Sequence, residues 1–499
     1  MTITIGARPV TLDDVPAVAR RREPIAVAPV VRDRLVQARD VVDRLAAAPD
    51  SIYGLNSALG ANTGARIPAH ELAEYQQRAV RARAVGVGPE LDAAAVRAIM
   101  FARIAGMAAG GSGVSPAVFD ALVAMLNRDV VPVVPRTGSI SVADLAPLAH
   151  IGLAMQGEGA ADHGGVRSTD ALMRAGLAPV VLGAKDGLAL ISANAATIGA
   201  AALTLHDVIL LQQQWLTAVA LSCEGFRANL SPLDPRATSA RPAPGQRETA
   251  ADLIALLDGS ALLTLGAARR VQDPLSFRAV AQVHGALRWI SGEARAQVEI
   301  ELNSAAESPL VTADGAMLSN GNFHLPALAV ALDATAIALA QVASLAVQRC
   351  LRFMSPAFTE LPLQLTRRGP AHSGFATVQK TLTALWSGIR REANPGSLDF
   401  FPVSEGVEDH ATLALLGAEK LAIAVEKARY LVAIELLIAA QAIDLRGTDR
   451  MTLGAGTRDA YAVVRKGVPV LDVDRPLGPD IDRMDALLRG GALAAVARA

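Results

Sequence analysis

Cysteine is nearly absent. Cys223 and Cys350 are the only two in 499 residues. That usage offers no disulfide framework and tilts toward a reducing compartment, so a cytoplasmic location is expected. Aromatic residues make up only 3% of the chain. Neither sign of charge dominates: 47 Lys and Arg against 48 Asp and Glu leave a formal net charge of −1. A surface that tracks phosphates needs a clear basic excess, so no nucleic-acid partner is expected. The N-terminal stretch "MTITIGARPVTLDDVPAVARRREPI" lacks the basic start and apolar run of a signal peptide. The 8 histidines form no HxxH or HxxxH pair, and no metal site emerges. There is no GxxxxGK[ST] phosphate loop and no GxSxG elbow.

One uncharged run, "LALISANAATIGAAALTL" (188–205), approaches the minimum length for crossing a bilayer. It contains Ser192, Asn194, Thr197 and Thr204, and much of the rest is Ala. A buried core helix is expected and no membrane partner, with those polar atoms satisfied internally.

What the chain does have is Ala, Leu and Val, within a hydrophobic fraction of 52%. Small residues let helix backbones approach closely. "VVRDRLVQARDVVDRLAAA" (30–48) repeats apolar residues at helical spacing, with Arg and Asp on the other face. "DATAIALAQVASLAVQRCLRF" (333–353) is apolar on most faces, as in the interior of a bundle. Residues 409–444 read as one long helix. Strands are expected to be few and short. Gly and Pro mark loops at 53–68, 131–141, 231–246 and 393–406. The fold class is therefore mainly α, a long-helix bundle with a loop-rich N-terminal part. A coarse division separates residues 1–205 from a long-helix part, 206–499.

Four short segments could carry chemistry. "YGLNSALG" puts Tyr53 at the head of a Gly-containing loop. Alone it reads as a turn with a packed tyrosine. A phenol serves as a base only where neighbours lower its pKa from near 10. "VQDPLSFRAVAQVHG" carries Gln272 and Arg278; a guanidinium behind a Pro turn can fork onto a carboxylate. "SNGNFHLPALA" supplies Asn320, Asn322, Phe323 and His324, with His324 read as a structural hydrogen-bonder. "GVEDHATLAL" holds Glu408 and His410 and reads as a helix cap.

Taken in order, "YGLNSALG", "VGVG", "GSISVADLAPLAH", "QGEGAA", "GLALISANAAT", "RPAPGQ", "VQDPLSFRAVAQVHGA", "SNGNFH", "SGFATVQ" and "EDH" resemble the aromatic amino acid lyase superfamily. Histidine, phenylalanine and tyrosine ammonia-lyases and related aminomutases make up that group. The resemblance spans about residues 50–460. It implies a mostly helical homotetramer whose active sites combine loops from three subunits. It also implies a base at Tyr53, a carboxylate clamp at Arg278, and substrate contacts from Gln272, Asn322, Phe323 and Glu408.

In that family an Ala-Ser-Gly loop before "DLAPLAH" cyclises to a methylidene-imidazolone electrophile. The middle residue must lose a β-oxygen, and the third needs an unhindered nitrogen. Here the loop reads Gly138-Ser139-Ile140-Ser141-Val142-Ala143-Asp144. Aligned from Asp144, the three positions are Ser141, Val142 and Ala143, and Val142 has no leaving group. The alternative frame Ile140-Ser141-Val142 ends in a β-branched residue. Other departures accompany this one. Ser192 stands where ammonia-lyases have Asn, Leu275 replaces a tyrosine, and Gly388 replaces a glutamate. Arg83 occupies the ring-reading position, and Lys380 stands where the family has a small apolar residue. No cofactor is expected.

Without an electrophile, an elimination needs a better leaving group or a more acidic β-hydrogen. A trimethylammonium leaves as a neutral amine, and a thioimidazole sulfur accepts developing charge. Arg83 and Lys380 would stabilise that charge. This points to ergothionase-like elimination of trimethylamine from ergothioneine, giving thiolurocanate. The alternatives are an electrophile-free ammonia-lyase acting on an anionic or histidine-like amino acid, and a non-catalytic homologue that binds an amino acid. In each case the partner is a small amino acid or betaine.

Overall fold

The computed structural model describes residues 2–58 and 65–493, so Leu59 and Gly60 of the "YGLNSALG" motif lie outside it. Among the described residues four long helices dominate: Ala195–Phe226, Val280–Leu302, Pro326–Phe353 and Ala414–Arg446. Strands are two to four residues long and form three two-stranded pairs and one three-stranded sheet among the described residues. The fold is thus mainly α, with few short strands. The last long helix starts at Ala414 rather than at residue 409, leaving Glu408–Leu413 as non-helical chain.

The chain divides into two compact units. One comprises Met1–His206, Ala294–Leu332 and Pro395–Glu419; the other comprises Asp207–Glu293, Asp333–Asn394 and Lys420–Ala499.

In the first unit, helix Ala93–Ala109 is buried along nearly its whole length and is capped by Asp92, whose carboxylate accepts the Ala95 N–H at 2.8 Å. Gly199 faces its backbone, and a Cβ there would lie 2.9 Å from the Ala98 carbonyl carbon. The small side chain is what permits this approach. The uncharged run at 188–205 is not one helix: Asp186–Ile191 ends at Ser192, and a new helix begins at Ala195. Among the described residues, two helical stretches are long and apolar enough to cross a membrane. The apolar window of Asp186–Phe226 is 94% buried inside the fold, and that of Pro326–Phe353 is 61% buried.

The second unit uses the same small-residue packing. A Cβ on Gly225 would lie 2.8 Å from the Ala439 carbonyl oxygen. The scarce aromatics gather here: Phe226 stacks on Phe277 at 4.0 Å, and Phe353 meets both edge-on. A fully buried ion pair crosses this core, Arg349 Nε to Glu435 Oε1 at 2.7 Å. Trp215 and Ser222 donate to the same carboxylate at 3.0 Å each, and Arg349 also reaches the Ser276 carbonyl. Every oxygen of the buried carboxylate is therefore satisfied, which such a charge requires.

Candidate active site

A cleft of about 670 Å³ lies wholly within the first unit. That volume suits a small ligand. Tyr53, Arg83, Val142, Ala143, Ser192, Phe323 and Glu408 line it, which gathers seven of the residues singled out in the sequence.

Tyr53 stands on a tight turn that its neighbours fix. Asn56 accepts the Ile52 N–H at 2.7 Å and donates to the Asp50 carbonyl at 2.9 Å. Leu55 is buried against Val42 and Val311. Gly54 has φ +72°, and a Cβ there would come within 2.4 Å of Leu188. Only glycine combines that backbone with that approach. Tyr53 itself is 36% exposed. Arg83 follows helix Leu72–Arg81, whose buried face includes Leu72, Ala79 and Val80. Its guanidinium donates to the Ala79 carbonyl at 3.2 Å and leaves further donors for the cleft.

Val142 and Ala143 form part of the cleft wall, but Ser141 does not face it. Ser141 is fully buried, with its Oγ 3.1 Å from Thr197 Oγ1 and accepting the Leu415 N–H at 2.9 Å. The loop is clamped from several sides. Ser139 Oγ donates to Asp144 at 2.6 Å and accepts the Ser141 N–H at 3.0 Å. Asp144 is completely buried and accepts from the Thr197 N–H at 2.7 Å, near the start of the helix that begins at Ala195. Burial pushes its carboxyl above the usual range, against these hydrogen bonds. Ala143 holds φ +54° despite its Cβ.

These residues do not fit a methylidene-imidazolone ring. The side chain presented at the middle position is the hydrocarbon of Val142. In the other frame, Ser141 is already committed to two partners, and Val142 would have to supply the attacking nitrogen.

Behind the cleft, Arg103 donates to Glu307 at 3.0 Å, and both are buried. Lys185 is buried beside them and donates to the Ser112 carbonyl. Burial lowers its amine to about 8, with Glu307 opposing that shift. Glu307 directly precedes Ser308, which lines the cleft.

Sequence reasoning missed a histidine pair. His324 Nε2 and His410 Nδ1 are 2.7 Å apart, and both rings line the cleft with Asp409. These histidines sit on loops 86 residues apart in the chain, so no local pattern joins them. His410 does not cap the helix that the sequence places around it: that helix starts at Ala414, and the His410 ring lines the cleft. His324 is more than a structural hydrogen-bonder, since it also faces the ligand space. Asn322 is exposed and does not line the cleft; its N–H is taken by Asn320 Oδ1 at 2.9 Å. Gln272, Arg278 and Lys380 belong to the second unit and do not line it either. Gln272 and Lys380 are exposed, and Arg278 is half-buried at the end of the short helix Leu275–Arg278.

A phenol, a guanidinium, carboxylates and paired imidazoles thus line one cleft. The aromatic amino acid lyase family model matches residues 10–466, and the chain belongs to that family. It is a carbon–nitrogen lyase. It is 40% identical to histidine ammonia-lyase from Sorangium cellulosum, over 98% of this chain and 97% of that one. Among solved structures it is similar to the ergothionase of Treponema denticola, in complex with desmethyl-ergothioneine sulfonic acid. That match has a TM-score of 0.94 at 31% identity and covers 99% of both chains. Tyrosine aminomutase from Streptomyces globisporus matches with a TM-score of 0.94 at 31% identity, covering 100% of this chain and 99% of that one.

Proposed function

We propose that the protein works without a self-made electrophile and eliminates an amine from a histidine-derived betaine, with ergothioneine the best candidate. The observation that carries this reading is the cleft wall. It presents Val142 and Ala143 where an electrophile would stand, while Arg83, Glu408 and Asp409 charge the same space.

A substrate bearing a fixed cation and a charge-accepting ring matches such a wall. Glu408 and Asp409 face the trimethylammonium, and the Phe323 ring adds an aromatic surface that attracts it. Arg83 receives the charge that grows on the thioimidazole sulfur. The Tyr53 phenolate takes the β-proton. The C–H pair becomes the Cα=Cβ bond, and the C–N pair leaves on nitrogen as neutral trimethylamine. In the homotetramer that the family resemblance implies, sites draw on three subunits. Gln272, Arg278 and Lys380 are assigned to complete a site in that assembly, with Arg278 on the substrate carboxylate and Lys380 at the ring. The neighbouring ergothionase structure supports the substrate choice through its bound analogue.

A second reading is elimination of ammonia from histidine, favoured by the 40% identity to a histidine ammonia-lyase. Incubation with ergothioneine and with histidine separates the two. Release of trimethylamine with a new conjugated absorbance is expected from ergothioneine. Ammonia release from histidine, without turnover of ergothioneine, would overturn the first reading.

A further inference from the structure

The His324–His410 contact constrains where protons can sit. Its two nitrogens are 2.7 Å apart, and the rings are tilted by 55° with centroids 4.9 Å apart. One hydrogen fills that gap. His324 Nδ1 and His410 Nε2 remain as the outer nitrogens. If His324 donates across the contact, its outer nitrogen accepts and that of His410 carries hydrogen; if His410 donates, both roles reverse. The pair therefore accepts at one end and donates at the other in either state, and both ends switch when a proton enters the accepting end, the shared proton crosses and one leaves the donating end.

Its surroundings hold the rings in place. His324 forms a backbone bridge with Val142 of the altered loop, and its N–H donates to the Gly321 carbonyl at 3.0 Å. His410 packs against Phe400 at 5.3 Å between centroids. Tyr53, Arg83, Glu408 and Asp409 line the same cleft.

We infer that His324 and His410 act as one coupled proton relay that returns Tyr53 to its basic form after each turnover. This rests on the assignment of Tyr53 as the base. The phenol formed by β-proton abstraction passes its proton, directly or through one water, to the accepting outer nitrogen. The shared proton crosses between the rings, and the far outer nitrogen releases one proton to solvent. Tyr53 is left as phenolate, and the net product is one proton in water. The pair regains its starting tautomer by exchange with water. Burial and the neighbouring His410 ring both lower the pKa of His324, which keeps the resting pair from filling with protons.

Two variants distinguish a relay from a strut. His410→Asn keeps an amide near the Nδ1 position, so the contact survives while the relay does not. His410→Ala removes both and leaves room for added imidazole. In both variants kcat should fall by ~10²-fold with KM little changed, as for lost proton transfer. Millimolar imidazole should restore His410→Ala and leave His410→Asn slow. Wild-type kcat in His410→Asn, or no rescue of a folded His410→Ala, would overturn the relay. A second arm needs no substrate. In histidine-labelled protein followed by NMR, His324 should titrate below the ordinary imidazole range. In His410→Asn, His324 should then titrate as an isolated ring at higher pH. Identical His324 titration in both proteins would sink the coupling. If neither ergothioneine nor histidine is consumed by the wild type, the substrate reading fails while the titration still decides the pair.

Discussion

At the scale of single residues, Tyr53 and Arg83 reach one cleft through different local devices: a glycine-dependent turn, and the end of an amphipathic helix. If Tyr53 is the base, Tyr53→Phe should lower kcat by ~10²-fold or more and leave KM nearly unchanged in steady-state assays. If Arg278 holds the carboxylate, Arg278→Ala should weaken substrate-analogue binding by roughly 2 to 5 kcal/mol, measurable by calorimetry. Lys185 yields a pH prediction. Its folded pKa of about 8 lies below the 10.5 of a free lysine. The unfolded chain therefore holds the extra proton between those values, and the contribution of Lys185 to stability rises with pH across that window. Below it, the charged buried amine carries its full desolvation cost. Denaturant titrations of wild type and Lys185→Met should diverge in slope between about pH 8 and 10.5, by about 3 kcal/mol over the window. Parallel curves would show that the amine is not held in low dielectric.

At the scale of elements, the altered loop is locked rather than loose. Ser141 satisfies the buried Leu415 N–H, and Asp144 satisfies donors of the helix that begins at Ala195. Ser141→Ala should cost about 1 to 3 kcal/mol in denaturant unfolding, the price of an unpaired buried donor. The comparison with Thr412→Ala is informative. Thr412 only donates to the Ser141 carbonyl at 3.3 Å, so its removal leaves a weaker deficit. Equal losses would mean that the Leu415 amide finds another acceptor.

At the scale of the whole molecule, large apolar residues stand exposed. Leu265, Val271 and Leu275 on the segment that carries Gln272 are 101%, 94% and 62% exposed, and Phe401 is 81% exposed. If the homotetramer implied by the family resemblance forms, these residues are expected to be covered by another chain. Light scattering at micromolar concentration should return the mass of a tetramer; a monomer would contradict the composite site. Intact-protein mass should equal the encoded mass. A deficit of two waters mapped to residues 138–144 would show that the loop cyclises after all.

The sequence by itself determined the helical class, because apolar residues at three- and four-residue spacing and abundant Ala are local properties of the chain. It also showed that Val142 lacks a β-oxygen, a chemical fact independent of fold. The residues at Tyr53, Arg83, Ser192, Phe323 and Glu408 were legible because ordered motifs carried them. Only tertiary structure decided which of the named residues share a cleft. Asn322 lies a single residue from Phe323 yet does not line the cleft, and its backbone N–H is held by Asn320 Oδ1. The histidine pair was invisible for a deeper reason. Its 2.7 Å contact joins two separate loops, and it depends on the last long helix starting at Ala414 instead of swallowing His410. Helical periodicity reports which faces are apolar. It does not report where a loop ends and a helix begins, since that is set by what the boundary residues find to bond.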